Sequence, residues 1–335
     1  MGFREKKNKY SDCAQNEIHE KSELRVMIVT MGLSRIVNPI VNQSNVIGII
    51  ESTPRNNTSK KHRILYKALK LFSSLVKSKA KTLRSYAKLM DIPYYYMNNG
   101  SDKNLENWVK EQNPDVILVY SMSQLLKGNI FSIPKYGTIN LHPSLLPKYR
   151  GPNPWFWSYY NKDSKGGVTV HYIDKGEDTG DIIYQESYNI PLGMKSPLMH
   201  DLAIGKIGVD LLLKSLENVN DLPRKAQPEE SPTQRAGNIK EYEHKNIIDW
   251  QNWEIERIWH ILRGTELWLN ALEQPQGVYK GQRWIIENFQ KCQMDSYQVS
   301  KVYNENGKYF VACKDGKIFL AVNFNIKNFI LNLVR

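Results

Sequence analysis

Cysteine is scarce in this chain: Cys13, Cys292 and Cys313 are the only three in 335 residues, and their spacing forms no pair motif. A disulfide framework and a cysteine zinc site are therefore disfavoured, and the cytosol is the expected compartment. The seven histidines are scattered with no His-x-x-x-His pair, so no metal enzyme is indicated. No apolar run approaches the roughly 20 residues of a membrane span. Residues 1–23 carry five basic and five acidic side chains and no apolar core of a secretory signal; they read as a flexible extension. Glycine is missing where a dinucleotide would need it. Residues 24–30 (LRVMIVT) form a buried-strand pattern followed by Gly32, without the second and third glycines of the fingerprint. A nicotinamide or flavin site there is disfavoured.

Positive charge, by contrast, is in excess, and its placement is uneven. The net charge is +12, and residues 55–88 hold eleven Lys or Arg with no Asp or Glu. Residues 238–335 hold thirteen basic and eleven acidic side chains, a net of +2. Within 63–88 the apolar positions Leu65, Ala68, Leu69, Phe72, Leu75, Val76 and Leu83 keep helical spacing. That predicts a basic amphipathic helix with a break near Ser73-Ser74, either a solvated cover on a sheet or a contact for anionic phosphates.

Strand patterns recur at 46–50, 92–97, 115–120 and 137–142, with a short helix at 105–112 and a second one around Leu125 and Leu126, capped by Ser123. The alternation predicts an α/β fold with an open, mostly parallel sheet, in which ligands bind at the carboxyl ends of the strands. Pro154 is suited to start an aromatic helix (Trp155, Phe156, Trp157, Tyr159, Tyr160), most of it core. Strands at 167–173 and 181–186 flank a glycine-punctuated acidic loop, and an amphipathic helix at 198–219 closes a domain spanning 24–219. Residues 220–237 are polar and proline-rich, a linker by composition. A smaller β-rich unit follows at 238–335, with a helix at 247–262 and β-like runs at 278–279, 284–287, 309–313 and 317–322.

The chemistry concentrates in INLHPSLLPKYRG, residues 139–151. Asn140 and His142 lie two apart at a strand end, so both side chains share one face. An imidazole accepts and returns protons near neutrality, and an amide donates to a carbonyl oxygen that gains charge. A carboxylate beside the imidazole would fix its tautomer; Asp178 and Asp174 in the acidic loop both qualify on spacing. A lone histidine in an apolar stretch is more often structural, and an acidic glycine loop is more often a turn. Their joint placement at strand ends outweighs both readings. His171 lies inside an alternating strand and reads as packing.

The stretch 140–151, together with GVTVH at 167–171 and DTGD at 178–181, resembles the formyltransferases that use 10-formyltetrahydrofolate. The resemblance is specific over 115–186 and consistent over 24–217. It implies a Rossmann-like formyltransferase fold with an OB-like C-terminal domain, and a trio of Asn140, His142 and Asp178. It implies direct attack of an amine on the formyl carbon, with Asn140 and protonated His142 stabilising the oxyanion and Asp178 holding His142. The folate would lie against Tyr120, Ser121, Met122 and Leu125, along Ser144, Leu145 and Leu146, and near Asp174. Arg150 and Trp155 are the expected substrate contacts. The acceptor expected first is a nucleotide-linked amino sugar, as in polysaccharide biosynthesis, with methionyl-tRNA as the alternative. Pro143 follows His142, and Pro152-Asn153-Pro154 follows Gly151, where the tRNA branch commonly carries other residues; the C-terminal unit also lacks the charge that tRNA binding needs. The basic stretch argues the other way. No metal is expected, and a homodimer is compatible with the reading.

Overall fold

The computed structural model describes residues 23–53, 82–97, 103–122, 124–326, 328 and 329. β1 (Arg25–Thr30) is apolar along both faces because both are covered. Val26 and Ile28 enter one core, while Met27 and Val29 enter another on the opposite side of the sheet. β1 pairs in parallel with β2 (Asn45–Ser52) and β4 (Val116–Tyr120). β3 (Tyr94–Met97) and β5 (Thr138–His142) extend the parallel part at either side. β6 (Lys165–Tyr172) and β7 (Ile182–Asn189) then add on antiparallel, and the seven strands run β3-β2-β1-β4-β5-β6-β7. The open, mostly parallel α/β sheet is the architecture that the strand pattern predicts. Its order reverses between β1 and β4, which places a crevice at their carboxyl ends.

Helices Val37–Gln43, Leu83–Leu89, Lys103–Gln112 and Gly128–Phe131 cover the two faces. The expected basic helix at 63–88 does not run through as one element. Thr82 is extended and its hydroxyl accepts from the Ser85 N–H, so a helix starts at Leu83; residues 63–81 lie outside the described residues. Around Leu125 the expected helix is likewise displaced: it spans Gly128–Phe131 with Lys127 before it, and Ser123 lies outside the described residues. The closing helix is a composite of Ser196–His200, a π-helical stretch Asp201–Gly208, and Val209–Glu217.

In the C-terminal unit the helix Ile255–Thr265 packs on a four-stranded antiparallel sheet of order β8-β11-β10-β9: Arg283–Lys291, Gly316–Asn323, Lys308–Cys313 and Val302–Glu305. The helix starts eight residues later than its apolar pattern suggests, at Ile255 rather than Ile247. The Asp249 carboxylate accepts from the N–H groups of Gln251 and Asn252, closing a local turn that competes with helix. Val278 and Tyr279 fall in a 3-10 turn, not a strand.

The two units share side chains. In the aromatic helix Pro154–Tyr160, Tyr159 sits in the core of the large sheet and Phe156 in the core of the C-terminal unit. Arg257 donates to the Tyr160 carbonyl at 2.9 Å, and the Gly193 N–H donates to His260 Nδ1 at 2.9 Å. The stretch at 220–237 is not a loose linker. Lys225 forms a two-way backbone bridge with Ile182, and the residues after it bind the backbone of Tyr149, Arg150 and Asp178.

Candidate active site

β5 delivers the site. Ile139 and Leu141 point into the main core, so alternation sends Asn140 and His142 to the other face. Asn140 is level there with Val119 on β4 and, across the antiparallel pair, with His171 on β6. The apolar layer on this face thins into a cleft of about 420 Å³, whose floor includes Met122, Leu126, Phe131 and Ile173. Asn140, His142, Asp174 and Asp178 also line it, as do Tyr120, Ser121, Leu125 and Trp155.

His142 is 4% exposed. Its Nε2 lies 3.0 Å from the Tyr149 carbonyl, which only accepts, so Nε2 carries a proton. Its Nδ1 faces Asp178 Oδ2 at 3.5 Å. Burial lowers the His142 pKa below the ordinary imidazole range; Asp178 pulls it upward and His171 lowers it. A neutral ring therefore leaves Nδ1 without a proton opposite a carboxylate, and the pair has room for one more. The Asp178 side chain keeps 15% exposure, so that proton can enter from the cleft.

Burial raises the Asp178 pKa, but the charge on His142, contact with His171 and the Gly151 N–H outweigh it and hold the carboxyl well below the usual range. The Gly151 N–H donates to Oδ2 at 2.8 Å. Asp178 takes the left-handed conformation, φ 57°, which aims its carboxylate back over β5.

His171, which the strand pattern assigns to packing, orients Asn140. Its Nδ1 donates to the Tyr172 carbonyl at 2.8 Å, so in the neutral ring its Nε2 is an acceptor and takes the Asn140 Nδ2–H at 3.0 Å, while in the protonated ring Nε2 faces Asp178 Oδ1 at 3.6 Å. The second Asn140 N–H reaches Asp178 Oδ1 at a long 3.4 Å and is the one free to turn to an incoming carbonyl oxygen. The cross-strand register that joins Asn140 to His171 has no signature in the spacing of the two residues.

Four expected contacts lie elsewhere. Ser144 donates to the Lys148 carbonyl, Leu146 donates its N–H to Thr169 Oγ1, and Leu145 packs where a Gly167 side chain would be. Residues 144–146 thus fold back on β6 and, unlike Pro143, do not line the cleft. Arg150 is buried and spends its guanidinium on Gln227, on the Pro228 carbonyl and on the Glu229 carbonyl. Asp174 accepts from the Gly176 N–H and from Thr179, so it shapes the acidic loop while Asp178 meets His142. Trp155 packs its ring on His200 at the cleft wall. Among the described residues, no cluster of three or more His, Cys, Asp or Glu could hold a metal, and no helix is long and apolar enough to cross a membrane.

Residues 41–197 match the family model described as formyl transferase. The chain is 36% identical over 199 residues to the methionyl-tRNA formyltransferase of Clostridium beijerinckii, a match covering 58% of this chain and 61% of that protein. It thus spans about three fifths of that relative's length. Among solved structures, the chain resembles the N-formyltransferase of Helicobacter canadensis in complex with folinic acid and dTDP-3-aminofucose, with a TM-score of 0.52 and 17% identity over 90% of this chain and 100% of that one. It also resembles HypX of Aquifex aeolicus in complex with tetrahydrofolic acid, with a TM-score of 0.57 and 13% identity over 89% of this chain and 44% of that one. At such identity the two structures share the fold. Residues 41–197, which contain Asn140, His142 and Asp178, belong to the formyl transferase family.

Proposed function

We propose that the protein transfers a formyl group from 10-formyltetrahydrofolate to a primary amine. The observation that carries this reading is the proton gap between His142 Nδ1 and Asp178, beside an amide whose second N–H is loosely held. The folate supplies an activated formyl carbon. The Asn140 amide donates to the formyl oxygen as negative charge develops there. The His142–Asp178 pair takes the proton that the amine sheds as it attacks and returns it to N10 of the folate as the bond from N10 to the formyl carbon breaks, so tetrahydrofolate leaves and the formylated amine remains. The apolar floor around Met122, Leu126, Phe131 and Ile173 suits a flat, largely apolar ring and excludes water from the reacting carbon.

The acceptor we favour is the amino group of methionyl-tRNA, which reverses the order expected from the motif departures. Sequence relatives of that activity, at 36% and 34% identity, support it, whereas the N-formyltransferase seen with dTDP-3-aminofucose is a neighbour in fold at 17%. The amino-sugar reading keeps one observation of its own. The relatives match 58% and 54% of this chain, and residues 238–335 carry a net charge of only +2. Incubation with 10-formyltetrahydrofolate and, separately, charged initiator tRNA or a panel of nucleotide-linked amino sugars decides between them. Formylation of the tRNA, with affinity falling steeply as salt rises, is the expected result; formylation of a sugar nucleotide alone would overturn it.

A further inference from the structure

The compositional linker makes three separate attachments, one to Asp178 itself and two to the backbone that contacts Asp178 and His142. Gln227 Nε2 donates to the carbonyls of Asp178, at 3.0 Å, and Gly180, at 2.7 Å, bracketing the turn in which Asp178 is left-handed. The Ala236 N–H donates to the Arg150 carbonyl at 2.7 Å, and the Ala236 carbonyl accepts from the Asn153 N–H at 2.9 Å. Between those two bonds lies Gly151, whose N–H holds Asp178 Oδ2. Gly151 has φ 121°, and a Cβ there would stand 3.0 Å from the Ala236 carbonyl oxygen, so only glycine fits this approach. Third, Thr233 Oγ1 accepts from the Tyr149 N–H at 2.7 Å, and Tyr149 is the residue whose carbonyl accepts from His142 Nε2. Buried Arg150 locks the start of the segment, binding Gln227 Oε1 from Nη2 at 2.9 Å as well as the next two carbonyls.

We infer that residues 225–236 are a positioning strap for the proton-accepting pair, with Gln227 the residue that holds the Asp178 turn against His142 and Arg150 the clamp that holds Gln227. The role expected for Arg150 as a substrate contact is replaced by this one. The inference rests on the formyl-transfer reading for its kinetic consequence but not for its geometry. Free of Gln227, the Asp178 turn loses the two donors that bracket it and relaxes away from the ring. His142 is faced by Asp178, His171, Glu177 and the Tyr149 carbonyl. Of these, Asp178 is the largest influence that favours the charged ring, so its retreat makes the imidazole harder to protonate.

The test uses the full chain with Gln227→Met, which removes both donors without adding charge. The expected result is a kcat for formyl transfer reduced about 10-fold or more, with KM for 10-formyltetrahydrofolate within about threefold of wild type. The His142 imidazole, followed by NMR titration in the ligand-free protein, should titrate at lower pH than in wild type. Gln227→Glu is the companion: it keeps the bond to Arg150 while turning the amide that faces two carbonyls into an oxygen. It should lose kcat similarly while remaining folded by circular dichroism. A folded Gln227→Met with wild-type kcat and an unmoved His142 titration would overturn the assignment, as would a fully active Gln227→Glu. Should the wild-type protein transfer no formyl group, that reading falls, and the His142 titration alone judges the strap.

Discussion

His142 and Asn140 are separated by one residue yet are set by different neighbours, and their loss should read differently. His142→Ala removes the proton acceptor and should lower kcat by about 10²- to 10⁴-fold. Asn140→Ala removes the oxygen donor and should lower it by about 10²- to 10³-fold; single-turnover kinetics on the purified variants check both. Because burial lowers the His142 pKa, the neutral, accepting form persists to lower pH than for a free imidazole. The acid limb of kcat/KM should therefore fall below about pH 6.5, the ordinary imidazole value, and should vanish in His142→Ala. Asn140 and His142 were legible as residues because strand alternation gives them a common face, whereas spacing left Asp178 level with Asp174 and only the family resemblance separated the two. His171 was not, since its partner Asn140 is set by the antiparallel register of β5 and β6.

Elements show where local and tertiary signals compete. The helix at Leu83 begins with a reciprocal Thr82–Ser85 capping box, a local device that overrides the apolar periodicity running through it. Thr82→Ala should cost about 1 kcal/mol in urea unfolding without affecting formyl transfer. Phe156 tests a tertiary role. It is 1% exposed and belongs to the C-terminal core although its helix is part of the larger unit. Phe156→Ala should cost about 3–5 kcal/mol and should make the C-terminal unit unfold ahead of the sheet, seen as two transitions in calorimetry. The late start of the helix at Ile255 has the same lesson as Thr82: the Asp249 turn is a short-range hydrogen-bonding choice that apolar spacing does not report.

At the scale of the whole molecule, buried His260 and half-buried His200 make their packing contacts acid-sensitive. His260, at the contact between the units, is pushed down to about 4 by burial with help from Lys162. His200, against Trp155, is pushed down to about 4 by burial and Arg35, with Asp201 opposing. A folded-state pKa below the unfolded value of about 6.5 means that the unfolded chain binds more protons across that window. The stability that these groups contribute is full above about pH 6.5 and is lost as pH falls toward 4. Urea midpoints measured across that range should fall with pH, and His260→Gln should flatten the slope by about one proton.

By itself, the sequence determined the parallel sheet and the common strand face of Asn140 and His142, because strand alternation is a local property. The tertiary structure decided what surrounds the trio. The register of β6 turned a packing histidine into the holder of Asn140, and the left-handed turn at Asp178 chose it over Asp174 as the partner of His142. A segment with linker composition became the strap over the site, because proline-rich polar sequence specifies only that the chain makes no helix or central strand. What its hydrogen bonds reach is set by residues that lie up to 86 positions away, from Arg150 to Ala236.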